Sequence, residues 1–126
     1  MARSRVAADA AHDLHAFKAS FFKALAHPVR IRILEVLVRG EQSVQELQET
    51  LALEQSVVSQ QLAVLRTNGI AVGRKEGVSV RYRVRDPLVA ELLAVARRIF
   101  NNQLVVNQQL LRRLRDEHGS RGSARA

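Results

Sequence analysis

Four histidines and no cysteine are the whole imidazole and thiol inventory of this 126-residue chain. Without a thiol there is no disulfide, thiolate metal site, cysteine nucleophile or thiol redox sensor. His12, Asp13 and His15 fall within four residues, and the two histidines lie about one helical turn apart, so both could reach one metal ion. Solvated polar side chains at a helix entry are the preferred reading, which leaves His12 and His15 as weak metal candidates and the expected metal and cofactor as none. No Ser/His/Asp grouping, phosphate-cradling glycine loop or carboxylate pair is visible, so the chain reads as a binder and not an enzyme. Two other sets of residues carry binding chemistry. Gln55, Ser56, Val57, Ser59 and Gln60 offer short hydrogen-bonding groups and one methyl-bearing side chain. Arg74, Lys75, Arg81 and Arg83 offer positive charge. Twenty basic residues against 12 acidic give a net +8. Such a surface seeks a polyanion, nucleic acid first and anionic membrane second.

The elements that must position these residues follow from periodicity. Residues 1–11 and 118–126 are small, polar and basic, and read as flexible tails around one domain over 12–117. Leu14, Phe17, Phe21 and Leu25 recur every three or four residues and mark a first helix. Pro28 suits the first turn of a second helix, which Ile31, Leu34 and Leu37 carry toward Gly40. Ser43-Val-Gln-Glu46 reads as a capping box opening a short third helix with Leu47 and Leu51 inward. The fourth helix runs from Glu54 to Arg66 and stops at Asn68-Gly69. Its Val58, Leu62 and Leu65 share one face, while Ser56, Gln60, Ala63 and Thr67 lie opposite with Ser59 on the flank. An ordinary solvated face would carry Glu and Lys, whereas this one is small and uncharged, shaped for close approach. From Ile70 the period becomes two. Ile70, Val72, Val80, Tyr82 and Val84 are expected on one side of a hairpin and Ser79, Arg81 and Arg83 on the other, with Lys75-Glu76-Gly77 turning the chain. Asp86-Pro87 starts a last helix reaching about Glu117.

Two short helices, the second with a small polar face, followed by a basic hairpin, spell a winged helix-turn-helix: mainly α, five helices plus a two-stranded wing. The stretches Ala24-Leu-Ala-His-Pro-Val-Arg-Ile-Arg-Ile-Leu34, Gln55-Ser-Val-Val-Ser-Gln-Gln-Leu-Ala-Val-Leu-Arg66 and Arg74-Lys-Glu-Gly-Val-Ser-Val-Arg-Tyr82 together resemble the ArsR/SmtB family of bacterial winged-helix repressors over roughly residues 14–105. The resemblance implies a homodimer packed through its first and last helices on an inverted-repeat operator in double-stranded DNA. Apolar patterning agrees, because the last helix carries one stripe through Leu93, Ala96, Phe100, Leu104, Leu111 and Leu114 and another through Leu88, Leu92, Val95, Ile99, Val106 and Leu110. One helix cannot bury both against so small a body. Phe100, Leu104 and Leu111 are the expected dimer anchors, with Phe17 and Phe21 as partners on the first helix. Asn107 interrupts the first stripe, where it would fix dimer register or face a wet groove.

Many relatives release DNA on binding metal, so the ligand positions of the family must be compared residue by residue. The Cys-x-Cys pair of the third helix corresponds here to Ser43 and Gln45. The four ligands of the last helix correspond to Asp86, Leu88, Ile99 and Asn102, which leaves one carboxylate that an N-cap explains. His27 is expected to hydrogen-bond within its turn. The chain thus resembles a family member without the usual metal and thiol ligands, leaving a small molecule, an accessory protein or its own abundance as the signal. Two alternatives stand beside this reading: a metal- or small-molecule-responsive repressor with an untypical site at His12/His15 or near the dimer helices, and a basic helical protein-interaction module. No apolar run approaches the ~18 residues of a membrane span, and no signal-peptide pattern opens the chain, so a cytoplasmic location is expected.

Overall fold

Local capping chemistry starts and stops the central helices. The computed structural model, which describes residues 2–124, places α1 over Ala2–Leu25, α2 over Pro28–Leu37, α3 over Val44–Leu51 and α4 over Gln55–Thr67. Strands β1 (Ala71–Glu76) and β2 (Ser79–Val84) and the helix α5 (Leu88–Ala124) follow. His27 caps α2, its Nδ1 accepting the Val29 N–H at 3.1 Å, with Pro28 in the first turn as expected. Helix α2 stops at Leu37, three residues before the glycine expected to end it. Ser43 Oγ accepts the Glu46 N–H at 3.1 Å and caps α3, but the return half of the capping box does not form, because the Glu46 carboxylate turns to Arg81. Ala52 ends α3 in the left-handed region at φ 53°, a place more often held by glycine.

The core is built where these helices meet. Ile33 and Leu34 of α2, Leu47 of α3, and Val58, Leu62 and Leu65 of α4 are its most fully buried large side chains. Helix α4 packs on both α2 and α3, and the C-terminal end of α1 is buried at Ala24 and Leu25. Arg30 ties three elements together. Its Nε donates to the Ala24 carbonyl at 2.7 Å and its Nη1 to Gln61 Oε1 at 2.8 Å. Carbonyls at a helix end need such donors, and Arg32 likewise serves the Leu51 carbonyl of α3 at 2.9 Å.

The hairpin differs from its expected register. Ala71 pairs with Val84, Gly73 with Tyr82, Arg74 with Arg81 and Lys75 with Val80. Ala71, Gly73 and Lys75 therefore share the face of Val80, Tyr82 and Val84, while Val72 lies on the arginine face. The turn is Gly77-Val78, with Gly77 at φ 63°, and Lys75 and Glu76 remain in the strand. Gly73 holds the register. A Cβ there would come within 2.9 Å of both Tyr82 Cε1 and Val80 Cγ1. Gln42 adds a third rung by exchanging backbone hydrogen bonds with Tyr82, at 3.0 and 2.8 Å.

Residues 2–11, expected as a flexible tail, are helical, since Ala2, Ala7, Ala8, Ala10 and Ala11 have the highest helix propensity of any residue. Residues 118–124 likewise continue α5, making it 37 residues, about 55 Å. Met1, Arg125 and Ala126, also assigned to the tails, lie outside the described residues. The block expected over 12–117 falls into two units, one ending at Val89 and the other starting at Ala90. No helix among the described residues is long and apolar enough to cross a membrane.

Candidate nucleic-acid interface

Burying Val58, Leu62 and Leu65 turns the opposite face of α4 outward. Gln55, Ser56, Ser59, Gln60 and Ala63 are exposed there, while Val57 is half-buried and has less methyl surface to offer. Gln61, one residue on from Gln60, is occupied by Arg30. The entrance to α4 borders a polar cleft of about 470 Å³ between α3 and β2, whose lining includes Ser43, Gln45, Gln48, Gln55 and Ser79. Amides and hydroxyls without net charge can donate and accept toward base edges and backbone alike. Gln45 was named in the sequence only at a ligand position of the family and Gln48 not at all, because nothing local shows that α3 and the hairpin converge beside Gln55.

The wing's positive charges are of two kinds. Lys75 and Arg83 are exposed and make no ion pair among the described residues. Arg81, expected on the open outer face, is turned onto α3 instead. Its Nη1 lies 2.7 Å from Glu46 Oε1, and its Nη2 donates to the Glu41 carbonyl at 3.0 Å. Arg74 is half-exposed, and its Nη2 donates to Glu41 Oε2 at 2.9 Å. Arg66, at the end of α4, stacks over Tyr82 with its guanidinium carbon 5.4 Å from the ring centroid. Glu41 was not singled out in the sequence, Glu46 was read only as half of a capping box and Glu76 only as part of the turn. The arginines that bond Glu41 and Glu46 lie 33 to 40 residues away, beyond any local pattern.

The hydrogen bond from Arg74 holds the Glu41 carboxyl below its ordinary value of 4.5, helped by the nearby arginine charges and opposed by partial desolvation. A carboxylate lowered in the folded state adds stability that is complete above its unfolded pKa and is lost as pH falls through the folded one. Wild-type protein is therefore expected to lose stability more steeply than Glu41→Gln as pH falls below about 4.5, as read from urea midpoints. Parallel acid limbs for the two proteins would show that the pair contributes nothing.

The positions equivalent to sensor ligands have other occupations. Ser43 caps α3, and Gln45 borders the polar cleft. Asp86 Oδ1 accepts the Leu88 N–H at 2.9 Å, the capping role expected of it, and Leu88, Ile99 and Asn102 are exposed. His12 and His15 are exposed on α1. Among the described residues, no three His, Cys, Asp or Glu side chains gather as a metal site would need.

Residues 27–71, from the α2 cap to the start of the wing, match the family described as bacterial regulatory protein, arsR family. Over 103 residues the chain is 48% identical to HTH-type transcriptional regulator Rv0081 of Mycobacterium tuberculosis, spanning 81% of this chain and 90% of that protein. The chain belongs to the ArsR family. The crystal structure of Rv0081 is similar at a TM-score of 0.67 and 50% identity, over 72% of this chain and 92% of that one. The homodimeric winged helix-turn-helix DNA-binding domain Mb0332 of Mycobacterium bovis, solved by NMR, is similar at a TM-score of 0.70 and 29% identity, over 76% of this chain and 89% of that one. A biofilm growth-associated repressor of Xylella fastidiosa is 39% identical over 85 residues, 68% of this chain and 75% of that protein. This ArsR-family protein is a winged helix-turn-helix DNA-binding transcriptional regulator and not an enzyme.

Proposed function

We propose that the protein represses transcription as a cytoplasmic homodimer, laying α4 of each protomer in the major groove of an inverted-repeat operator. Gln55, Ser56, Ser59 and Gln60 read or position on the bases, with Val57 adding a methyl contact. Lys75, Arg83 and the half-exposed Arg74 meet phosphates. The observation that carries this reading is the exposed, uncharged, small-residue face of α4, which admits close approach to base edges. Relatives named as repressors and a homodimeric structural neighbour support repression and pairing. Release is assigned to a signal other than a transition metal, since the positions where the family holds ligands are occupied by Ser43, Gln45, Leu88, Ile99 and Asn102 and by a single carboxylate, Asp86, which caps α5.

The test is titration of the protein onto its own upstream DNA over a range of salt, with and without zinc, nickel, cobalt and copper. Lys75→Ala and Arg83→Ala are each expected to lower the salt slope by about 0.9 and to weaken specific and scrambled DNA alike. Metals are expected to change affinity by less than about tenfold. A larger metal effect that disappears in His12→Ala/His15→Ala would install those histidines as the sensor, because an effector acts only through unequal affinity for bound and free forms.

A further inference from the structure

Arg81 and Arg74 face each other directly across the two strands of the wing. Like charges in that position repel, yet three carboxylates from three places in the chain surround them. Glu41 precedes α3, Glu46 lies in its first turn and Glu76 ends β1. Every nitrogen of the Arg81 guanidinium has an oxygen in reach. Nη1 bonds Glu46, Nη2 bonds the Glu41 carbonyl, and Nε lies 3.7 and 3.6 Å from the carboxylates of Glu41 and Glu76. One residue further along each chain segment, Gln42 and Tyr82 exchange both backbone hydrogen bonds. The wing is thus fastened to the start of α3 by a paired junction, one rung made by backbone and the next by the Arg81 fork.

We infer that Arg81 and Glu46 are positioning residues that set the angle of the wing on the DNA-binding body, and that Arg81 is not a phosphate ligand. This rests on the reading that the wing touches DNA. To reach a phosphate, Arg81 would have to abandon two hydrogen bonds, at 2.7 and 3.0 Å, and leave the Glu46 carboxylate unneutralised beside a polyanion. The junction also has leverage. Val78, fully exposed at the wing tip, is three residues from Arg81 along β2, roughly 10 Å at ~3.3 Å per residue. A swing of about 10° there would displace the tip by almost 2 Å, enough to break a phosphate contact of ~2.7–2.9 Å made near the tip, while Lys75, opposite Val80 and one residue from Arg81, would move less.

The inference separates from simple electrostatics by sign. Removing the Glu46 carboxylate adds one positive charge to the binding surface, which on charge alone should tighten DNA binding. If Glu46 holds the wing, its removal weakens binding. The experiment titrates full-length wild type, Glu46→Ala, Glu46→Gln, Arg81→Ala, Arg81→Lys, Glu46→Ala/Arg81→Ala and Lys75→Ala onto two labelled duplexes over a range of salt. One duplex is recovered by selection from a randomised pool, and the other is its scrambled counterpart.

Glu46→Ala and Arg81→Ala are each expected to weaken the selected duplex about tenfold and to lower its salt slope by the same amount, about 0.9, because each lets one phosphate contact of the wing go. The double variant should be no worse than the weaker single one. Glu46→Gln, which keeps an acceptor for Arg81, should recover most of the loss and serves if Glu46→Ala does not fold. Tighter or equal binding by both Glu46 variants overturns the inference, as does a salt slope lowered by about 0.9 in Arg81→Ala but unchanged in Glu46→Ala, the pattern of a direct phosphate ligand. A normal response of Lys75→Ala beside silent junction variants would overturn the junction alone. A silent Lys75→Ala as well would remove the wing from the interface and overturn both readings.

Discussion

Leu104→Glu combined with Leu111→Glu is expected to leave the protein monomeric at micromolar concentration and to weaken operator binding by about 100-fold or more. The reason lies in surface that the protomer alone does not cover. On α5, Phe100, Leu104, Leu111 and Leu114 are all exposed, Leu104 at 58% and Phe100 at 59%, and they recur with Asn107 at spacings of four and three residues. That is the repeat of a helix seam facing another helix. On α1 the aromatic residues differ in exposure. Phe17 is 74% exposed, Phe21 is half-buried with its ring edge-on to Phe22 at 5.5 Å, and Phe22, off the main stripe, is exposed. On the dimer reading, Phe22 is expected to join Phe17 against a second copy.

A large apolar side chain gains ~1.5–3 kcal/mol when fully buried. Each of these has about half its surface left to bury, so five or six per protomer contribute on the order of 10 kcal/mol to the pair. That is the size of the ~4–15 kcal/mol cost of association. Two glutamates placed on the seam remove two contributors from each protomer and add four buried charges, which cannot be accommodated. The monomer then engages one half-site, and the gain of ~10²–10⁴ from joining two binding modules disappears. Both positions are exposed in the protomer, so its thermal unfolding should keep one cooperative transition even as sedimentation reports half the mass. A doubly substituted protein that sediments as a dimer, or a wild type that sediments as a monomer, would end this reading.

The sequence made the helix-turn-helix legible because its signals are local. Pro28, Ser43 and Asn68-Gly69 act on their own turn, and Leu47, Leu51, Val58, Leu62 and Leu65 are buried as their spacing requires. The polar face of α4 follows from the same spacing, since whatever lies opposite three buried residues must be exposed. The wing was legible as a hairpin but not in its pairing. Ala71-Val72-Gly73 has no strong alternation of its own, and the register is set from outside by the Tyr82 ring lying over Gly73 and by the backbone rung from Gln42. The fate of Arg81 was hidden for the same reason. Alternation places it on the outer face, and only the fold reveals that α3 comes up against that face with Glu46 in its first turn. Residue type and period locate a charge on an element; whether that charge is free depends on partners 35 to 40 residues away.

Gln60→Ala is expected to relax base preference at one position in each half-site and to cost about 1–3 kcal/mol per half-site, roughly 5–150-fold. Gln60 lies midway along α4, exposed, with Ser56 one turn before it and Ala63 about one turn after on the same outward face. Its carboxamide offers an acceptor and a donor side by side, the pattern that matches adenine N6 and N7 in the major groove. Small neighbours let the helix approach closely enough for both bonds, and no adjacent charge competes with them. Gln61 supplies the contrast, because the same side chain one residue later is held by Arg30 at 2.8 Å and bridges α4 to α2. Gln61→Ala should therefore lower the melting temperature and leave base preference intact, whereas Gln60→Ala should do the reverse. Gln60→Glu sharpens the test: a carboxylate accepts from cytosine N4 but offers nothing to adenine N7, so the preferred base should change and not merely weaken. Selection from a randomised duplex pool with the three variants reads all of these outcomes together. Identical preferences at every position for wild type, Gln60→Ala and Gln60→Glu would remove Gln60 from the reading surface.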